Sequence, residues 1–268
     1  MTAFVDSAGV RIAWDDRGAG EPVLLVMGHA YPRTMWHRAV PALTGGGYRV
    51  LTFDNRGAGE SDKPSGAYTI AEMAADAVAV LDAAGVERAH VYGVSMGGGT
   101  VQEITLAHPD RVRSLILGCT GAMSDDKAGG QRRRPIAEKL MAVLPLRVTA
   151  RLSVPLTYGP IRDKRKVAED LALLAANPAP PHGREGQGAA VAAYRSLDRI
   201  GTISVPTLVL HGEADRIVPV AWGRELAATI PGARLITYPG AGHNYLTDVT
   251  ERANADVLTF LRSVDGTP

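Results

Sequence analysis

The sequence predicts an α/β fold, with a doubly wound, mostly parallel central sheet flanked by helices and a helical insertion in its second half. Three observations predict it. Short continuous apolar runs recur, each the length of a strand buried on both faces. Helix-like stretches separate them at short spacing, which calls for parallel strands joined by crossovers. The alternation then stops near Cys119 and resumes near Val205. The 268 residues suit one large domain with an insertion, divided as 1–118, 119–204 and 205–268.

Taken in order, Phe4-Val5 and Val10 to Trp14 read as two strands around a turn at Ser7-Ala8-Gly9. Val23 to Val26 is a fully buried strand that ends at Met27-Gly28-His29. A short helix is expected from Met35 to Leu43, then a strand from Tyr48 to Phe53 running into Asp54-Asn55-Arg56-Gly57-Ala58-Gly59-Glu60-Ser61-Asp62. Thr69-Ile70-Ala71-Glu72 forms a capping box, and the helix it opens buries Ile70, Met73, Ala77 and Leu81 and stops near Gly85. Ala89 to Tyr92 is the next strand, followed by a helix from Met96 to His108 and a strand from Val112 to Leu117.

In the insertion, Ile136 to Leu144 and Val167 to Ala176 read as helices. Asn177 to Gly188, rich in proline and glycine, reads as a loop with no element of its own, suited to a hinge or mobile entrance. The α/β pattern closes with a strand at Thr207 to Leu210, a helix at Val220 to Thr229, a strand at Arg234 to Tyr238 and a helix at Glu251 to Ser263.

Composition narrows the functional classes. The chain is 46% hydrophobic and 21% charged, as expected of a globular protein with a full core. A formal net charge of +1 gives no reason to expect a nucleic-acid or anionic-membrane partner. The basic clusters Arg132-Arg133-Arg134 and Arg162 to Lys166 are interleaved with acids and read as solvated surface. One cysteine, Cys119, cannot form an intrachain disulfide, and no cofactor or metal is implied. Met1 to Trp14 shows no signal-peptide pattern and no apolar run is long enough to span a bilayer, so a cytoplasmic location is expected.

Gly93-Val94-Ser95-Met96-Gly97 lies between a strand and a helix, the setting of a nucleophile elbow. A serine on so tight a turn is held in a strained conformation with its hydroxyl clear of the sheet. Such a hydroxyl needs a base, and the base an orienting acid. Reactive groups in open α/β sheets gather at the carboxyl ends of the strands. There stand His211-Gly212-Glu213-Ala214-Asp215 and Gly240-Ala241-Gly242-His243, in the order Ser95, Asp215, His243. Glu213 is a second carboxylate near the same strand end.

Four motifs in this order, Gly93 to Gly98, Asp54 to Asp62, His211 to Pro219 and Gly240 to His243, resemble the α/β-hydrolase superfamily over nearly the whole chain outside the insertion. The resemblance implies Ser95 as nucleophile, His243 as general base and acid, and Asp215 as orienting acid, since the family's G-x-x-D before an apolar residue and proline favours Asp215 over Glu213. It also implies an oxyanion hole formed by the backbone N–H groups of His29 and Met96. Relatives usually carry His-Gly-x where this chain has Met27-Gly28-His29, so the His29 ring either borders the pocket or touches substrate. Cys119 stands where some relatives place the acid, and reads as a small buried residue. Asp54 and Arg56 belong to a loop whose usual role is structural.

By the same resemblance the insertion is a helical cap over the active site. Its apolar residues Leu140, Met141, Leu144, Leu146, Leu152, Leu156 and Tyr158 either line a pocket or pack the cap internally. Met27, His29, Leu144 and Tyr158 are the candidates for substrate contact. The implied activity is hydrolysis of a small-molecule carboxylic ester or lactone, largely apolar and of small to medium size. Ser95 excludes the relatives that use a carboxylate nucleophile. Cofactor-free haloperoxidase or perhydrolase-like chemistry, carbon–carbon bond hydrolysis and a non-catalytic small-molecule binding role remain as alternatives. For carbon–carbon hydrolysis, Val94 stands where an asparagine is usual.

Overall fold

The protein is described by a computed structural model that covers residues 2–122 and 146–266. Its strands are β1 (Ala3–Ser7), β2 (Val10–Arg17), β3 (Pro22–Val26), β4 (Arg49–Phe53), β5 (Ala89–Val94), β6 (Val112–Gly118), β7 (Thr207–Gly212) and β8 (Arg234–Tyr238). They form one sheet in the order β1-β2-β4-β3-β5-β6-β7-β8. The pairs β1–β2 and β2–β4 are antiparallel and every later pair is parallel. The chain passes from β3 outward to β4 and then back to β5 on the other side. That reversal opens a crevice beyond the carboxyl ends of β3 and β5.

Side-chain alternation along these strands makes the sheet two-faced. Leu24, Val26, Val91, Leu115, Leu117 and Val209 point to one face. There they meet helix α2 (Ile70–Ala83) through Ala77 and Leu81, and helix α3 (Met96–Ala107) through Val101 and Ile104. Val23, Leu25, Tyr92, Ile116, Leu208 and Leu210 point to the other face. There lie Ala39 and Leu43 of helix α1 (Ala39–Gly45) and the carboxyl-terminal helix described below. The capping box on α2 is complete, with Glu72 N–H donating to Thr69 Oγ1 at 3.1 Å and Thr69 N–H donating to the Glu72 carboxylate at 2.8 Å.

The helix expected at 35–43 is broken into a 3₁₀ turn, Arg33–Trp36, and α1. Pro41 has no N–H to give the carbonyl of His37 and its ring crowds that carbonyl, which favours a break just before it.

Between β6 and β7 the described residues carry helices and no strand: α4 (Leu146–Thr157), α5 (Lys164–Ala176) and α6 (Pro181–Ala193). The expected helix at Ile136 to Leu144, the Arg132–Arg134 cluster, and Leu140, Met141 and Leu144 lie outside the described residues. Leu152 and Leu156 of α4 are exposed, at 56% and 44%. The expectation that 177–188 has no element of its own is wrong, because α6 starts inside it. Pro181 is placed at the first helical position, where its missing N–H costs nothing. Each glycine within α6 disfavours helix by about 1 kcal/mol, but Gly183 lets the helix backbone lie directly on Gly57. A methyl at 183 would stand 2.2 Å from the Gly57 carbonyl oxygen. Tertiary contact therefore makes a helix of a segment whose composition disfavours one.

The remaining helices are α7 (Val220–Thr229), the single turn α8 (Tyr245–Asp248) and α9 (Thr250–Asp265), which buries Ala253, Val257, Phe260 and Leu261 on the second face. No helix among the described residues is long and apolar enough to cross a membrane.

Candidate active site

Ser95 follows β5 directly and has φ 54° and ψ −120°. A non-glycine residue there carries about 1–3 kcal/mol of strain, which persists only when its surroundings over-determine it. Here they do. Ser95 N–H donates to Gly118 O at 2.9 Å, and Thr120 Oγ1 donates to Ser95 O at 2.8 Å. Strand and helix also meet backbone to backbone. A methyl at Gly97 would sit 2.2 Å from Val26 O, and one at Gly98 would collide with Thr120 at 2.5 Å. Gly99 differs: the nearest atoms to a methyl there are on the Tyr194 ring at 3.5 Å, ordinary contact distance.

His243 arrives on the loop after β8. Its Nε2 lies 3.0 Å from Ser95 Oγ, and its Nδ1–H donates to Asp215 Oδ2 at 2.8 Å. Asp215 comes from the loop after β7, and its other oxygen accepts the N–H groups of Ile217 and Val218 at 2.8 and 2.9 Å. Glu213, the second carboxylate weighed above, instead accepts from Thr237 Oγ1 at 2.7 Å. The chain of hydrogen bonds thus runs through Asp215.

A further group holds Asp215 from behind. His211 is fully buried at the end of β7, donates from Nε2 to Val218 O at 2.9 Å, and has the same nitrogen 3.3 Å from Asp215 Oδ2. Sequence reading passed over His211 as a strand-end residue. The available signal was its i, i+4 spacing to Asp215. Burial alone would raise the Asp215 pKa, but hydrogen bonds from His211 and His243, the His243 charge and the Val218 N–H hold it below the usual carboxylate range. For His243, burial disfavours the imidazolium. Cys119 and Asp215 outweigh it and raise the pKa from 6.5 to about 10. Cys119 is 3% exposed and lies close enough to the His243 ring to act on its charge. The thiol read from sequence as a small buried residue is therefore a neighbour of the base.

Across the crevice, Gly28 packs against the serine. A methyl on it would lie 3.1 Å from Ser95 Cβ. The backbone at 28 thus approaches the elbow as closely as a side chain would, which brings the Met27–His29 loop beside Ser95. Met96 is the first residue of α3, where helical N–H groups lack intrahelical partners and the helix dipole favours negative charge. The side chain of Met27 is buried at 3% among Trp36, Tyr92 and their neighbours, and its carbonyl accepts from Asn55 Nδ2 at 2.9 Å. The His29 ring turns to the cap and donates from Nε2 to Arg184 O at 2.8 Å.

Tyr158, just past α4, is 4% exposed and donates its hydroxyl to Asp170 Oδ2 at 3.0 Å. Asp170 on α5 is fully buried. It also accepts from Thr247 Oγ1 at 2.6 Å and pairs with Arg38. Asn244 N–H donates to Thr157 O at 2.7 Å, and Asp248 Oδ2 accepts from both Gly159 and Gly242 N–H. The cap is therefore bonded to the loop that carries His243. In the Asp54 loop, the partner of Asp54 is Arg33, while Arg56 pairs with Asp76 at 2.7 Å and Glu72 at 3.1 Å. The role is structural, as expected, though Arg33 was not foreseen.

Known proteins agree with this architecture. The family model described as the α/β hydrolase fold matches residues 21–248, and the chain belongs to that family. A non-heme haloperoxidase of Rhodococcus erythropolis is 30% identical, over 98% of this chain and 100% of the relative. The structure of a hydrolase from Pseudomonas aeruginosa PA01 superposes with a TM-score of 0.86 at 33% identity, covering 97% of this chain and 98% of that one. A thermophilic esterase from Thermogutta terrifontis gives a TM-score of 0.85 at 29% identity, covering 98% and 99%. The protein is thus an α/β-fold hydrolase.

Proposed function

We propose that the protein is a serine hydrolase of carboxylic esters or lactones, acting on a small to medium, largely apolar molecule through an acyl-serine intermediate. The observation that carries this reading is the continuous hydrogen-bond chain Ser95–His243–Asp215 at the crevice. His243 Nε2 takes the Ser95 proton as Oγ attacks the carbonyl carbon, while Asp215 holds the ring and stabilises the imidazolium that forms. The oxyanion is received by the backbone N–H groups of His29 and Met96. His243 then returns the proton to the leaving alkoxide, which departs as the alcohol, or stays tethered if the substrate is a lactone. Water activated by the same ring cleaves the acyl-serine to the acid and free Ser95. The resemblance to a thermophilic esterase supports the ester class.

A fluorophosphonate probe tests the reading directly. It is expected to label Ser95 in the folded wild-type protein and not in Ser95→Ala. Folded protein that is neither labelled nor active on p-nitrophenyl esters and lactones would favour a non-catalytic binding role. The haloperoxidase relative motivates one second reading, in which hydrogen peroxide in place of water attacks the acyl-serine and releases a peracid. Peroxide-dependent bromination that requires both a carboxylic acid and Ser95 distinguishes it.

A further inference from the structure

Helix α6 of the cap is bonded to the loop assigned above to the oxyanion hole at two adjacent residues. Gln187 is fully buried, and both ends of its amide are used on backbone groups of two core loops. Its Oε1 accepts from Ala30 N–H at 2.7 Å, and its Nε2 donates to Arg56 O at 2.8 Å. One residue earlier, the His29 ring donates to Arg184 O at 2.8 Å. Ala30 has φ 62°, a left-handed conformation that an alanine adopts only under constraint. It packs in a junction with Ala58 of the Asp54 loop and Ala179, just before α6. On the other side of His29, Asn55 fixes Met27 O, and Tyr31 N–H closes on Gly28 O at 3.3 Å.

We propose that Gln187 is a positioning residue for the oxyanion hole, holding the His29–Ala30 peptide so that the His29 N–H faces the reacting carbonyl. This rests on the hydrolase reading above. The physical argument is one of remaining freedom. The N–H of His29 belongs to the Gly28–His29 peptide, which meets at the His29 α-carbon the His29–Ala30 peptide that Gln187 holds. The turn closure and Asn55 set the near side, and Gln187 sets the far side. If the Gln187 acceptor is removed, Ala30 N–H is buried without a partner and the strained φ loses the hydrogen bond that holds it. The cap then acts as scaffold to the chemistry as well as roof. Since the donor acts on charge that develops only in the transition state, loosening it lowers kcat and leaves KM little changed.

The test compares Gln187→Leu, Gln187→Glu and His182→Ala in the full-length protein. It uses p-nitrophenyl butyrate turnover and hydrogen exchange of peptides covering residues 28–31. His182 is a control on the same helix, since its ring bonds Lys63 O at 3.2 Å and does not touch the oxyanion loop. Q187L is expected to lower kcat by about 10–100-fold, short of complete loss of an oxyanion donor, with KM within about twofold. Exchange at 28–31 is expected to quicken. Q187E, protonated in this fully buried site, keeps an acceptor for Ala30 N–H and a donor for Arg56 O and recovers kcat to within about fivefold of wild type, which also covers a failure of Q187L to fold. Q187L retaining kcat within about threefold, or H182A losing as much as Q187L, overturns the proposal. If the wild type neither labels nor turns over, the hydrolase reading fails on its own account. The exchange at 28–31 in Q187L against H182A then decides whether Gln187 holds the loop.

Discussion

The sheet and the cap bury different kinds of groups. In the sheet, Val23 to Val26, Val91, Leu115 to Leu117 and Leu208 to Leu210 are fully buried and make their contacts through apolar surface. In the cap, Asp170 and Gln187 are equally buried, and each reaches the core through hydrogen bonds to particular atoms. Apolar burial is non-directional and sums over area, so it builds a rigid platform that tolerates exchange of one apolar residue for another. A buried polar group stabilises only when every partner is in place, so it specifies one docking position. The platform carries the reactive side chains on strand ends, and the cap fixes the loops around them.

Substitutions that separate these two modes sharpen the contrast, and the largest effect belongs to the elbow. Ser95→Gly is expected to lower esterase turnover by about 10⁵-fold or more. It should also raise thermal stability by about 1 kcal/mol, because glycine adopts the observed φ without strain. A melting temperature no higher than wild type would contradict the strain argument. Asp215→Asn is expected to lower kcat by about 10⁴-fold. The pH profile carries a sign. A carboxylate beside an imidazolium stabilises the charged form, so the ascending limb of kcat/KM lies above 6.5 in the wild type. Removing that charge moves the limb part of the way to lower pH, since Cys119 also raises it, and a limb that stays in place would show that the Asp215 charge does not help hold the imidazolium.

Leu25→Ala probes the platform and is expected to cost about 2–5 kcal/mol of global stability, with one cooperative transition in denaturant. Asp170→Ala probes the cap. It leaves Arg38, Tyr158 and Thr247 without their shared acceptor, at a cost of about 3 kcal/mol expected to appear as local opening. Protease cleavage and hydrogen exchange should rise in 146–193 ahead of global unfolding. A uniform loss across sheet and cap would mean that the two do not open separately. The smallest effect concerns Gly99, which has room for a methyl group. Gly99→Ala is expected to stabilise by up to about 1 kcal/mol without loss of activity, read as an upward shift in melting temperature.

The difference in forces also explains which parts were legible in the sequence. Apolar runs and caps are local patterns, so β8 and α7 appear at the expected residues, and the Thr69–Glu72 box is complete. Ser95, Asp215 and His243 were found because the sheet places strand ends along one edge, and each residue follows its strand closely. Polar partners far apart in sequence leave no such trace. Arg33 beside Asp54, Cys119 against His243 and Gln187 on Ala30 all depend on where loops end in space, whereas His211 stands only four residues before Asp215. Helix α6 is the sharpest miss, since proline and glycine are breakers by propensity but close-packing residues in context.

By itself the sequence determined the order of strands and helices, the two-faced sheet, the elbow at Ser95 and the identities of its two partners. The elements follow from periodicity, and the elbow and its partners from their positions at strand ends together with the family resemblance of their motifs. Tertiary structure alone decided that residues 181–193 form a helix, that Arg33 pairs with Asp54, and that the cap grips the loops at His29 and His243. Those outcomes rest on backbone approach and on hydrogen bonds between residues distant in sequence, such as Gln187 to Arg56, where local preference has no say.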